Sequence, residues 1–142
     1  MLKILFCIIV IINSVSISSA IEKKVVAELI PNCGATQGGV ATATPDGKIY
    51  FTDASSRYSI HNYRLDLMAH QPYGRLLEYD PDTKTTTTLL SDLYFANGIA
   101  VSPDGEFILV NETSEYRVQK YWLKGEKAGQ LEILIENLPG FP

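Results

Sequence analysis

The sequence predicts an all-β fold, about two blades of a β-propeller, and three observations carry that expectation. From residue 39 onward, strand-like segments alternate with Gly, Pro, Asp and Asn punctuation, the pattern of short antiparallel strands joined by tight turns. No stretch shows a convincing helical period. The stretch Gly39-Val-Ala-Thr-Ala-Thr-Pro-Asp-Gly47 returns as Gly98-Ile-Ala-Val-Ser-Pro-Asp-Gly105, and self-similarity at a fixed period marks a repeat architecture.

Each unit supplies four strands. The first ends in Pro-Asp-Gly, where Pro presets one turn dihedral and Gly accepts a positive φ. The second is Lys48 to Asp53, matched by Glu106 to Asn111, and the third is Arg75 to Tyr79, matched by Arg117 to Tyr121. The fourth, of Thr and aliphatic residues, is Thr85 to Leu90, matched by Gln130 to Ile135. Gly47 precedes Gly105 by 58 residues whereas Tyr79 precedes Tyr121 by 42, so the first unit carries 16 extra residues between Asp53 and Gly74. Four antiparallel strands recurring about every 40 to 50 residues are the mark of a propeller blade. A β-sandwich does not normally repeat its strand chemistry at a fixed period.

The first twenty residues read as a secretory signal peptide, 1–20. Lys3 is its positive start, Ile4 to Ile12 its apolar run, and Ser18-Ser19-Ala20 the small residues that a signal peptidase accepts. That run is too short to span a bilayer, and an uncleaved anchor is the alternative. Residues 21–142 are then the propeller part, with Ile21 to Gly38 as a stray outer strand. Two units fall short of the four to eight blades of a ring and would leave sheet edges in water, so a fragment of a larger ring is expected.

The chain of 142 residues has 12 basic and 16 acidic side chains, a net charge of −4. Loss of Lys3 leaves 11 against 16, or −5, with no basic cluster. This excludes duplex nucleic acid as a partner, because such binding is driven by phosphate neutralisation. Cys7 leaves with the leader, so Cys33 stays as an odd cysteine, either paired elsewhere or a buried thiol.

An Asn-Gly, Asn97-Gly98, stands just before the second unit's first strand, where no turn needs it. In a propeller, the connection entering a first strand and the one leaving a second strand share one face of the disc. Asn97 and Asp53 therefore both reach toward the channel mouth, and converging oxygens suit a hard cation such as Ca²⁺. Both are also common turn residues, so local capping is the alternative.

Residues 49–58 (IYFTDASSRY), 74–90 (GRLLEYDPDTKTTTTLL), 95–113 (FANGIAVSPDGEFILVNET), 116–129 (YRVQKYWLKGEKAG) and 137–142 (NLPGFP) strongly resemble strictosidine synthase-like proteins. Within that group the adipocyte plasma membrane-associated branch looks nearest, related in turn to paraoxonases and gluconolactonases. The resemblance covers about residues 48–137 and implies a six-bladed propeller. It implies calcium as cofactor with Asp53 and Asn97 among the ligands. Further ligands would come from an Asp-Asn pair that normally follows LPGFP and from an early Glu without counterpart here. It also implies a calcium-dependent hydrolase of esters or lactones in the secretory pathway, of which this chain would be an incomplete and inactive copy. Small-molecule esters or lactones are the expected substrates, and membrane association is a further expectation. A non-catalytic propeller segment that binds partners is the alternative, and strictosidine synthase-type condensation a third.

Phe95 is the candidate wall of the substrate pocket, or else a core aromatic between blades. The insert 54–73 resembles a lid. Its His61 and His70 read as solvated loop residues rather than metal ligands, since metal sites cluster their donors. Asn111-Glu112-Thr113 is a glycosylation sequon, placing a candidate glycan on Asn111. Glu112 is expected to make a polar structural contact.

Overall fold

The chain is described here from a computed structural model covering residues 41–44 and 46–142. The leader, the stray strand expected over 21–38 and Cys33 lie outside the described residues.

Eight strands form two four-stranded sheets in which spatial order follows chain order. The first blade comprises β1 (Ala41–Ala43), β2 (Ile49–Asp53), β3 (Gly74–Asp80) and β4 (Thr85–Leu93). The second comprises β5 (Ala96–Val101), β6 (Phe107–Glu112), β7 (Arg117–Trp122) and β8 (Leu131–Ile135). All neighbours are antiparallel. Two up-and-down four-stranded sheets in succession are two propeller blades.

The repeated Pro-Asp-Gly makes the same turn twice. The Gly105 N–H donates to the Ser102 carbonyl at 2.9 Å and the Gly47 N–H to the Thr44 carbonyl at 2.9 Å. Both glycines hold a positive φ, +87° at Gly47 and +68° at Gly105, which is why the motif needs Gly. The hydroxyls of Thr44 and Ser102 donate to Asp46 and Asp104, and these bonds are the main reason both carboxyls sit below the usual carboxylate range.

The core lies between the blades. Tyr50 and Leu76 of the first sheet and Leu93 at its exit pack with Ala96, Ile108, Val110 and Tyr121 of the second. Leu76, Ile108 and Val110 are wholly buried, each worth roughly 1.5–3 kcal/mol. Burial raises the Tyr50 phenol well above its usual value, with a bond to Glu78 adding to it.

Three expectations change. The pairing of Lys48–Asp53 with Glu106–Asn111 slips by one residue. Ile49 lies opposite Tyr79 and Ile108 opposite Tyr121, so the spatial counterpart of Asp53 is Glu112, not Asn111. Both face an arginine across the ladder, Arg75 and Arg117 respectively. A helix also exists: after a 3-10 turn (Ile60–Asn62), α1 runs over Tyr63–Ala69 inside the insert and ends at His70 in the left-handed region. Finally, Asn97 lies inside β5 rather than ahead of it.

Candidate functional site at the blade seam

Within β5, Ala96 pairs with Glu112 and Ile99 with Val110. Asn97 and Gly98 therefore share one position against Asn111, which is a β-bulge, a device that re-aims side chains near functional sites. Gly98 is required by close approach: a Cβ there would lie 2.7 Å from Asn111 Nδ2. The bulge presents the Asn97 carbonyl to Thr52, whose hydroxyl donates to it at 2.6 Å. Asn97 Nδ2 donates to Thr113 Oγ1 at 3.3 Å, and that hydroxyl donates to the Pro142 carbonyl at 3.1 Å.

Asp53, the residue after Thr52, is 3% exposed. Its Oδ2 accepts from Arg75 Nη2 at 2.5 Å and Nε at 3.1 Å. The seam thus brings the backbone of Asn97 beside the end of β2, while the Asp53 carboxylate carries a guanidinium. Calcium takes six to eight oxygens, and among the described residues no group of three or more His, Cys, Asp or Glu is placed to hold a metal. Asp53 and Asn97 alone do not fit that ion.

Glu112 repeats the acid-arginine pairing in a sealed form. It is wholly buried; its Oε1 accepts from the Tyr94 N–H at 2.8 Å and its Oε2 from Arg117 Nε at 2.5 Å and from Gln119. That carboxylate is the main reason the Arg117 guanidinium is held above its usual pKa. Its neighbour Asn111 is half-buried with its amide against Gly98.

The insert caps the β2 exit. Ala54, Ser55, Tyr58, Ile60, Tyr63, Asp66 and Phe95 line a partly open cleft of about 10 Å³, room for one water molecule. Phe95 reaches it from a left-handed conformation, φ +55°, which a bulky side chain adopts only where its surroundings impose it. The Thr113 N–H, donating to the Phe95 carbonyl at 3.1 Å, is one such restraint. Asp66 is 2% exposed and its Oδ2 has no hydrogen-bond partner. Burial pushes its pKa up, the Asp53 charge adds to that, and a bond with Ser55 opposes it. His61 is exposed on the 3-10 turn. His70 Nε2 lies 3.1 Å from Glu115 Oε1, tying the insert to the second blade.

Sequence reasoning singled out Asp53, Phe95 and Asn97 but missed Thr52, Arg75, Gly98 and Asp66. The repeat of Arg75 and Arg117 at the start of each third strand was a signal for the acid-arginine pairs. Nothing local marked Asp66.

A sequence model of strictosidine synthase matches residues 39–126. Strictosidine synthase-like protein 6 of Arabidopsis thaliana is 44% identical over 101 residues, 71% of this chain and 26% of its own. The adipocyte plasma membrane-associated protein of Bos taurus is 46% identical over 102 residues, 71% of this chain and 25% of its own. The chain spans about a quarter of the length of these curated relatives. Among solved structures, a calcium-binding protein, regucalcin, from Agrobacterium tumefaciens aligns with TM-score 0.53 at 20% identity, over 73% of this chain and 31% of its own. A luciferin-regenerating enzyme aligns with TM-score 0.58 at 18% identity, over 80% and 36%. Two blades filling about a third of each neighbour is the share that two blades of six would occupy. The family model over residues 39–126 and the 44–46% identity to these relatives show that this chain belongs to the strictosidine synthase family.

Proposed function

We propose that the seam and the cleft beneath α1 form part of the substrate rim of a propeller hydrolase that acts on a small ester or lactone in the secretory pathway. The position of Phe95 carries this reading. It sets an apolar wall beside Ser55 and Asp66 and lies two residues from Asn97; the space between them admits one water molecule, so the substrate itself would lie outside it, along the rim. Calcium belongs to the same proposal as a family expectation: Asp53 and Asn97 would be two of its ligands, and by themselves they do not fit it. A solved neighbour described as calcium-binding supports a cation in this architecture. The leader and the plasma membrane-associated relatives support the secretory route.

The test uses the protein secreted by its own cells and purified with an antibody to residues 74–90. Arylester and lactone turnover, lost on chelation and restored by calcium, is expected of a complete ring containing these blades and not of residues 21–142 alone. Turnover that survives chelation overturns the calcium part; absence of turnover by such a ring on both substrate classes overturns the hydrolase.

A further inference from the structure

β4 and β8 hold the same place in their blades. Thr86 lies opposite Tyr79 as Leu131 lies opposite Tyr121, Thr88 lies opposite Leu77 as Ile133 lies opposite Gln119, and both ladders shift register one step further on. Among the described residues each of the two strands is paired on one side alone. The chain thus meets a free outer edge twice and answers it differently. On β4 the two positions are threonine, which suits a strand and is at home in water. On β8 they are leucine and isoleucine, 42% and 52% exposed. Strand formation does not require the exchange, since β4 forms without it, and apolar side chains gathered on a surface mark a contact.

The side of the sheet on which they stand narrows what that contact is. Opposed residues of an antiparallel pair share a face. Tyr121 and Gln119 are buried, and Tyr121 packs in the core between the blades. Leu131 and Ile133 therefore stand on the side turned toward the first blade, and they are exposed although that blade is in place. A further sheet stacked on the second blade would lie on the opposite side and leave them in water. What covers them comes along the edge, where a row of unpaired N–H and C=O groups is matched by another strand.

β8 is its own complement. With two copies set antiparallel about a two-fold axis at Glu132, Leu131 of one copy meets Ile133 of the other on both sides of the axis, and the four aliphatic side chains close together on one face. On the other face the two Glu132 carboxylates approach each other. Each has Lys127 Nζ at 3.6 Å and Lys120 Nζ at 3.9 Å, so either anion brings cations that offset the repulsion.

We propose that β8 joins two copies of this chain, their edge strands pairing antiparallel through Leu131 and Ile133 so that the two second blades become one eight-stranded sheet. The assignment rests on the edge and is independent of the hydrolase reading.

The experiment is sedimentation equilibrium on the purified full chain from about 1 μM to about 1 mM, a range set by the weak affinity of a contact this short. The mass is expected to rise from one chain to two. L131K and I133E are each expected to weaken association about tenfold or more, because each dimer then sets two charges against aliphatic side chains. Circular dichroism is expected to stay unchanged, since both positions are exposed. An equimolar mixture of the two variants is expected to regain the dimer, the introduced ammonium of one standing opposite the introduced carboxylate of the other. T88K, at the same place on β4, is expected to associate like wild type. A chain that stays single across the range overturns the proposal, as does a dimer indifferent to L131K and I133E or one that T88K disrupts equally. Failure of the mixture to recover overturns the pairing about Glu132.

Discussion

Thr52 donates its hydroxyl to the Asn97 carbonyl across 2.6 Å, joining the second strand of one blade to the first strand of the next. Thr52 is 5% exposed, so little water is at hand to replace the bond. Thr52→Val keeps the shape and removes the donor, leaving the half-buried Asn97 carbonyl short of a partner. The expected loss is about 1–3 kcal/mol of unfolding free energy in urea, and a midpoint unchanged from wild type contradicts it.

Gly98→Ala drives a methyl group to 2.7 Å from Asn111 Nδ2, and overpacking of this kind costs about 1–3 kcal/mol. Asn111→Ala removes the obstructing amide, leaving its Cβ at 3.8 Å. The double variant is therefore expected to lose less than the sum of the singles, with a coupling of about 0.5–3 kcal/mol by thermal denaturation. Additive losses would show that the cost does not come from the Asn111 amide.

Glu112→Gln breaks a wholly buried ion pair and turns one acceptor into a donor facing Arg117 and Gln119. Removing one partner of such a pair costs roughly 3–5 kcal/mol. Asp53→Asn is expected to cost less, since the Arg75 side chain is 30% exposed against 23% for Arg117 and a carboxylate at 2% against 0%. The ordering of the two denaturation midpoints checks the claim.

Asp66 gives a pH signature. Burial raises its folded-state pKa above the unfolded value of 3.8, so the folded chain holds that proton more tightly. The stability this contributes is complete below the unfolded pKa and is lost as pH rises through the folded one. Asp66→Asn removes the titration. The variant is expected to melt above wild type at neutral pH, with the gap closing in acid. A gap constant with pH excludes Asp66 as its source.

The strands were legible because turn chemistry punctuates them: Thr44 and Ser102 each open a Pro-Asp-Gly turn, and the blades follow from counting. Register was not, because it is set by what lies across the ladder. The partners across the ladder, Tyr79 and Tyr121 with Arg75 and Arg117, reveal that Asp53 answers to Glu112, while motif matching aligned it with Asn111. The helix α1 escaped for a related reason. With its acid turned inward and Leu65 and Met68 outward, it offers none of the periodicity by which a surface helix is recognised. The channel-mouth site was read as side-chain oxygens, yet what the seam fixes at Asn97 is its carbonyl, placed by a bulge that no propensity announces.

The outer strand β8 carries one more consequence. Its five residues are all exposed, among the described residues it pairs with β7 on one side alone, and it contains neither proline nor glycine. Leu-Glu-Ile-Leu-Ile is therefore a template for cross-β stacking between molecules, with Glu132 as its gatekeeper. The indole of Trp122, donating to Glu132 at 2.7 Å, and Lys127 and Lys120 beyond it keep that carboxyl ionised further into acid than usual. A tryptophan on one strand thus steadies the single charge that interrupts the apolar run of the next.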